Sequence, residues 1–69
     1  MSDQVYKLVE IVGTSEESFA KAADAAVRKA ATTLDNLDWF EVTDMRGRIS
    51  KGAIAQYQVT VKVGFRLGK

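Results

Sequence analysis

The side chains that most often carry catalysis and metal binding are scarce in this sequence. Its 69 residues include no histidine, no cysteine and no proline. General acid–base catalysis near neutral pH most often uses histidine, and covalent catalysis often uses cysteine. Carboxylates and lysines are present, but no pair of them stands out. The lack of histidine and cysteine also excludes disulfide bonds and any metal site built on those residues. The composition therefore disfavours an enzyme.

The one tryptophan, Trp39, is a candidate for either an interface anchor or a ligand-stacking group. It lies in the segment LDWFEV, near the start of a long hairpin predicted over residues 37–67. The second arm of this hairpin alternates with period 2, which is typical of a strand with one face on a core. Its apolar set comprises Ala53, Ala55, Tyr57, Val59, Val61, Val63, Phe65 and Leu67.

A two-residue turn at Lys51-Gly52 predicts how the two arms pair. Ser50 then lies opposite Ala53, and the numbers of opposed residues sum to 103. Directly opposed residues share a face, so each arm can be sorted by side. By this register Trp39 lies opposite Gly64, and Met45 lies opposite Gln58.

One face of the predicted hairpin is apolar and forms the core under a helix. By the register Trp39 belongs to the other, helix-free face, where it lies diagonally beside Arg66. Whether Trp39 anchors an interface or stacks on a ligand stays open at this point, and one surface can do both. The helix-free face is predicted to hold Trp39, Glu41, Thr43, Met45, Ile54, Gln56, Gln58, Thr60, Lys62, Gly64 and Arg66. The core face is predicted to hold Phe40, Val42, Tyr57, Val59, Val61, Val63 and Phe65.

Two further elements precede the hairpin. The segment VYKLVEIV, residues 5–12, is typical of a strand that Gly13 ends. Thr14 and Glu17 fit a capping box, which predicts a helix over residues 15–34. The order strand, helix, strand, strand indicates an α+β fold, with one helix on a three-stranded antiparallel sheet and the last strand in the middle. The apolar stripe of the helix is predicted to be Phe19, Ala23, Ala26, Val27, Ala30 and Leu34.

Chain length predicts a single domain, residues 1–69, that gains stability by association. A strand of about 15 residues spans roughly 50 Å, whereas a compact chain of this size is about 28 Å across. The hairpin must therefore curl around the helix or project beyond it, and another copy would cover a projecting part.

Charge and hydropathy indicate which classes of partner and which cellular location to expect. The net charge is +1 with both signs scattered, which predicts no nucleic-acid partner. No apolar run approaches the ~18–20 residues of a membrane span, and MSDQVYK lacks the features of a signal peptide. We expect a cytoplasmic protein with no membrane partner.

Four segments, YKLVEIVGTSEESF, LDWFEV, RGRI and AQYQVTVKVGFRL, closely resemble those of the dodecins, a family of small flavin-binding proteins. The resemblance implies a β-α-β-β subunit whose sheet wraps around its helix, and a hollow dodecamer of cubic symmetry. It also implies paired flavins on two-fold axes, with each ring stacked on Trp39 and its polar edge hydrogen-bonded to Gln58. Arg46 and Arg66 match the arginines that contact the ligand or its surroundings in bacterial members that prefer FMN. Some bacterial members also bind coenzyme A at a separate site, which this sequence does not locate.

The predicted register bears on this implied site. Trp39 and Gln58 share the helix-free face, but they lie about 20 Å apart along the strand. One planar ligand contacts both only if different subunits supply them, as a site on a symmetry axis requires. Regular alternation places Arg46 on the core face, so a bulge at Gly47 would be needed to turn it toward the ligand. The alternative for Arg46 is a solvated arginine at a strand end.

Three functions remain open for a chain of this kind. The favoured one is a flavin-binding store for FMN, or for riboflavin or FAD, that sequesters the cofactor and quenches its photochemistry without turnover. The second is a small oligomeric flavoenzyme. The third is a purely structural interaction module, in which Trp39 seals an interface.

Overall fold

A computed structural model describes residues 3–68, and in it the elements follow the order β-α-β-β. They are β1 (Tyr6–Ser15), α1 (Phe19–Ala30), β2 (Leu37–Ser50) and β3 (Ala53–Arg66). The sheet order is β1-β3-β2, and both pairs of neighbouring strands are antiparallel. The predicted α+β class and the central position of the last strand are confirmed.

The core lies between α1 and the central strand. Val59, Val61 and Val63 of β3 are fully buried, and they pack with Ala22 and Ala26 of the helix. Alternate residues of β3 point to the same side, so the three valines form one continuous apolar stripe. The buried helix residues are Ala22, Ala26 and Ala30. Ala22 was missing from the predicted apolar stripe, and Phe19 and Ala23, which were predicted to belong to it, are only partly buried.

Gly13 marks the closest approach of the helix to the sheet. A Cβ atom at this position would collide with the carbonyl oxygen of Ala22 and would lie 2.8 Å from the Cβ of Ala26. The prediction that Gly13 ends the first strand was wrong, because β1 continues to Ser15 and Gly13 pairs with Val59. Glycine here lets the backbones of β1 and α1 pack closely.

The helix is shorter than the sequence predicted and begins later. Thr14 pairs with Gln58 as part of β1, so it cannot cap the helix. The N-cap is Ser18, whose side chain accepts a hydrogen bond of 3.0 Å from the backbone N–H of Lys21. At the other end the helix stops at Ala30, and Asn36, with a φ of 63°, lies in the turn region that leads into β2.

The hairpin pairs as predicted at its turn and at Trp39, but beyond Trp39 the register shifts, since Leu37 pairs with Phe65. Lys51 and Gly52 form the turn with φ values of 55° and 78°, as type I′ turns require at both central positions. Ser50 pairs with Ala53, and near the other end Trp39 pairs with Gly64.

The middle of the hairpin departs from the predicted register. The pairing shifts between Val42 and Asp44, where Thr43 is an extra residue on β2, and it shifts back where Ala55 is an extra residue on β3. Within the shifted stretch Arg46 pairs with Gln58. Met45 therefore pairs with Val59 on the helix side, and its predicted pairing with Gln58 was wrong. No bulge falls at Gly47, which pairs with Tyr57.

The hairpin projects well beyond the helix. The longest dimension of the chain is 56 Å, and its radius of gyration of 14.4 Å exceeds the roughly 11 Å of a compact chain of this size. Near the tip Ile49 and Ile54 pair with each other and are 73% and 63% exposed. Ile54 lies on the helix side of the sheet with Phe19 and Tyr57, which corrects its predicted placement on the helix-free face. Within residues 3–68, no helix has the length and apolar character needed to cross a membrane.

The observed helix cap can be tested directly against the predicted one. Replacing Ser18 with alanine removes the acceptor for the Lys21 N–H and should lower the free energy of unfolding by about 1 kcal/mol. Thr14→Ala is the matched control and should change it by less than about 0.5 kcal/mol, since Thr14 lies exposed on a strand. Urea denaturation at one fixed protein concentration measures both, and a larger loss for Thr14→Ala would contradict the observed helix start.

Candidate functional site

The helix-free face of the sheet carries all four residues suggested as a ligand site. Residues paired across the strands point to the same side, and the buried valines of β3 fix which side faces the helix. The helix-free face therefore consists of cross-strand rows. In the order β1, β3, β2 these rows are Leu8–Gly64–Trp39, Glu10–Lys62–Glu41, Val12–Thr60–Asp44 and Thr14–Gln58–Arg46, with Tyr6–Arg66 beyond the first row and the Gln56–Arg48 pair beyond the last.

Trp39 lies with a flat face of its indole against the central strand. A Cβ atom placed on Gly64 would lie 2.5, 2.5 and 2.7 Å from Cε2, Cζ2 and Cη2 of the indole. Such similar distances to three consecutive ring atoms mean that the ring covers Gly64 face-on, and any larger residue would lift it. The side chain is still 43% exposed, so the outward face of the ring is open to a planar ligand.

Gln58 and Arg46 form a polar pair at the other end of the face. The Gln58 side chain is half-buried, and its Nε2 donates a hydrogen bond of 2.9 Å to Oε1 of Gln56. Arg46 lies directly opposite and is exposed, with a guanidinium nitrogen 3.8 Å from the carboxylate of Asp44. The prediction that alternation turns Arg46 toward the core was wrong, because the extra residue Thr43 moves it to the helix-free face.

Arg66 lies at the tryptophan end. It pairs with Tyr6 of β1 and is half-buried. The ring of Tyr6 contacts the indole of Trp39, with centroids 4.9 Å apart and an interplanar angle of 58°. Hydrogen bonding to the Asp38 carboxylate is the largest cause that raises the pKa of Tyr6 above its ordinary value, and the charge of Arg66 opposes this shift.

The four predicted residues thus form two groups within one chain. Trp39 and Arg66 lie at one end of the helix-free face, while Gln58 and Arg46 lie at the other. Gly64, which pairs with Trp39, lies six positions along β3 from Gln58, and this corresponds to about 20 Å. No single ring system spans both groups.

Sequence reasoning missed two side chains that contact these groups, Tyr6 and Gln56, and a third, Asp38, whose carboxylate raises the pKa of Tyr6. The sequence did not show which face of β1 lies away from the helix, and the contact of Tyr6 with Trp39 depends on the pairing of β1 with β3. Asp38 is an extra residue in the pairing of β2 with β3, which regular alternation does not reveal. Gln56 was placed on the correct face, and its partner could be found from i, i+2 spacing along the strand.

The side chains on this face are of types that bind ligands by stacking and hydrogen bonding. In the described part of the chain no polar or charged residue is buried. Among residues 3–68, no cluster of three or more His, Cys, Asp or Glu side chains is arranged to hold a metal ion. An open indole face, a primary amide and two guanidinium groups suit an aromatic ligand with polar edges.

Comparison with known proteins assigns the chain to a family. The family model for dodecin matches residues 5–68. A dodecin from Thermus thermophilus is 53% identical over 64 residues, which are 93% of this chain and 93% of that one. A dodecin structure from Streptomyces davaonensis has a TM-score of 0.94 at 48% identity, covering 99% of this chain and 100% of that one.

A more distant structure differs in the ligand for which it is named. It is the crystal structure of calcium dodecin from Mycobacterium tuberculosis, described as a calcium-chelating antigen with a novel calcium-binding site. Its TM-score is 0.81 at 31% identity, and the match covers 93% of this chain and 91% of that one. The family match over nearly the whole chain and the likeness to both bacterial dodecins lead to one conclusion: this chain belongs to the dodecin family.

Proposed function

We propose that this protein is a non-catalytic binding protein for flavins, with FMN as its main ligand, which it stores at contacts between copies of the chain. The observation that carries the proposal is the geometry of Trp39. Its inner face rests on Gly64 and its outer face is open, as a stacking platform for a planar ring requires. Membership in a family of small binding proteins supports the same conclusion.

A complete site needs two copies of the chain. The tryptophan row and the Gln58–Arg46 row lie equally far from Val61 along β3, on opposite sides of it. When a second copy faces the first with its strands reversed, a two-fold axis near Val61 brings the tryptophan row of one copy over the Gln58–Arg46 row of the other. The same axis generates a second, identical site, so ligands bind in pairs.

The polar groups in such a shared site have distinct tasks. The Nε2 group of Gln58 is already bonded to Gln56, so its carbonyl oxygen is left to accept a hydrogen bond from the N–H at the edge of the flavin ring. The guanidinium groups of Arg46 and Arg66 donate to a ring carbonyl or to the phosphate of FMN.

Stacking on Trp39 also gives the protein its effect on the ligand. An indole is rich in electrons, so it transfers one electron to a photoexcited flavin in contact with it. The electron then returns to the indole, and the excitation is lost as heat. A flavin with Trp39 on one face and the facing copy of the chain on the other has no free face for a substrate, which argues against the flavoenzyme alternative.

Assembly into a dodecamer would cover the apolar surface that one helix leaves open. The cleft between α1 and β2 has a volume of about 420 Å³, and its lining includes Phe40, Val42 and Met45. The isoleucines at the hairpin tip are also exposed. Twelve copies of the 7.6 kDa chain would have a mass of about 91 kDa.

Removal of the indole tests the proposed platform. The wild-type protein should bind FMN and quench its fluorescence, and Trp39→Leu should abolish the quenching and weaken binding by about 1–3 kcal/mol, the range found for stacking on aromatic side chains. Phe40→Leu is the matched control, since Phe40 is the next residue of β2, is 50% exposed and faces the other side of the sheet. Fluorescence titration with FMN gives both quantities, with calcium as the comparison ligand. Unchanged FMN affinity in Trp39→Leu, or binding of calcium alone, would contradict the proposal.

A complementation experiment tests whether the site is shared between copies. Gln58→Ala should weaken FMN binding by about 1–3 kcal/mol, because a hydrogen bond to the ring edge is lost. If different copies supply Trp39 and Gln58, unfolding Trp39→Leu and Gln58→Ala chains together and refolding the mixture should restore about one quarter of the sites to wild-type affinity. The same variants refolded separately and then mixed are the control. A site built within one chain would recover nothing.

The placement of Arg46 on the helix-free face can be tested by comparing two ligands. Arg46→Ala should weaken FMN binding by about 1–3 kcal/mol, since a charge-assisted hydrogen bond is removed. A contact with the phosphate would make the loss larger for FMN than for riboflavin. Arg28→Ala is the control, because Arg28 lies exposed on the outer side of α1 in an ion pair with Asp24. Equal affinities for wild type and Arg46→Ala would remove Arg46 from the site.

The proposed assembly predicts a native mass near 91 kDa by light scattering. Ile49→Asp introduces a charge on the exposed apolar side of the hairpin tip and should reduce this mass. Lys51→Asp changes the charge of the neighbouring turn and should leave it unaltered, because aspartate tolerates the positive φ of this position. A wild-type mass near that of one chain would refute the assembly.

A further inference from the structure

Tyr6 and Trp39 are in contact although their strands are not neighbours. Tyr6 lies on β1 and Trp39 on β2, and β3 runs between them. Their ring centroids are nevertheless only 4.9 Å apart. The side chains can meet above the central strand because Trp39 pairs with Gly64, which has no side chain to separate them. The contact therefore joins the two edges of the sheet.

The geometry of the contact restricts the indole. The two rings are tilted at 58°, between the stacked and the edge-to-face arrangements of aromatic pairs. Gly64 supports the inner face of the indole from below, but a glycine cannot limit its sideways rotation. Tyr6 is the aromatic neighbour of Trp39 on this face, so it is placed to limit that rotation.

The ring of Tyr6 is itself fixed at its hydroxyl end. The hydroxyl donates a hydrogen bond of 2.9 Å to Oε1 of Gln4. The carboxylate of Asp38, the residue just before Trp39, raises the pKa of Tyr6 above its ordinary value, with hydrogen bonding as the largest cause. Tyr6 thus contacts the indole through its ring and is held at its hydroxyl by Gln4.

We propose that Tyr6 is a positioning residue that holds the indole of Trp39 flat on Gly64, so that its outer face keeps the orientation needed for stacking. The effect on the indole exists in the ligand-free protein. Only the consequence for the ligand rests on the proposed function. A planar ligand gains most from a platform that is already ordered, because no rotation of the indole has to be lost on binding.

Trp39 is the only tryptophan of the chain, so its fluorescence anisotropy decay reports its motion without interference. In the ligand-free protein, Tyr6→Leu should increase the amplitude of the sub-nanosecond component, because leucine keeps apolar volume but has no ring edge. Tyr6→Phe should give a smaller increase, since the ring stays and the hydroxyl contacts are lost. Val12→Ala, on the same strand and face but in a different row, is the control and should match wild type.

Titration with FMN supplies the second measurement. Tyr6→Leu should raise the Kd by about tenfold and leave the quenching at saturation incomplete, consistent with a loss of part of the stacking energy. Circular dichroism and native mass identify variants that fold and assemble as wild type does, and Tyr6→Phe serves if Tyr6→Leu does not. An anisotropy decay identical to wild type in a correctly folded Tyr6 variant would overturn the proposal. Failure of the wild-type protein to bind FMN would instead refute the proposed function and leave the anisotropy result to decide the role of Tyr6.

Discussion

The difference in length between the helix and the hairpin is the constraint on which the rest of this structure depends. A helix of 12 residues is about 18 Å long, whereas strands of 14 residues extend about 46 Å. The helix covers β1 and the part of β3 that carries the three buried valines, and it makes few contacts with β2. Apolar residues of β2 and of the hairpin tip therefore remain exposed in a single chain. A second copy of the chain would cover them, as the proposed assembly requires.

The difference in length between the helix and the hairpin also gives the two faces of the sheet different roles. The helix side is occupied by packing, with small helix residues against β-branched strand residues and Gly13 at the point of closest approach. The helix-free side is left with an aromatic group at one end and polar groups at the other. The proposed flavin site needs both ends and cannot be closed within one chain, so in this proposal binding and assembly use the same surface.

Local patterns in the sequence were sufficient for those parts of the fold that depend on regular alternation. The position of Trp39 over Gly64 followed from period-2 patterning and the turn at Lys51-Gly52. The strand order followed from antiparallel neighbours and the preference for right-handed crossovers. The helix start was wrong, because Thr14 makes a plausible cap and only its pairing with Gln58 shows that it lies in a strand. The contact of Tyr6 with Trp39 could not be derived either, since it requires the registers of two strand pairs at once.

The bulge at Thr43 decides on which face of the sheet Arg46 lies, although no sequence pattern marks it. From Trp39 to Arg46 is seven residues, and an odd number of steps along a regular strand would place the two side chains on opposite faces. On β3 the matching span, from Gly64 to Gln58, is six residues, so the partners of Trp39 and Arg46 share a face. Thr43 removes this mismatch, because it adds a residue to β2 that has no partner on β3. Neither glycine nor proline marks the position, which explains why Gly47 was the more plausible location for a bulge. Without the extra residue Arg46 would point toward the helix side, and the polar end of the helix-free face would lose its guanidinium group.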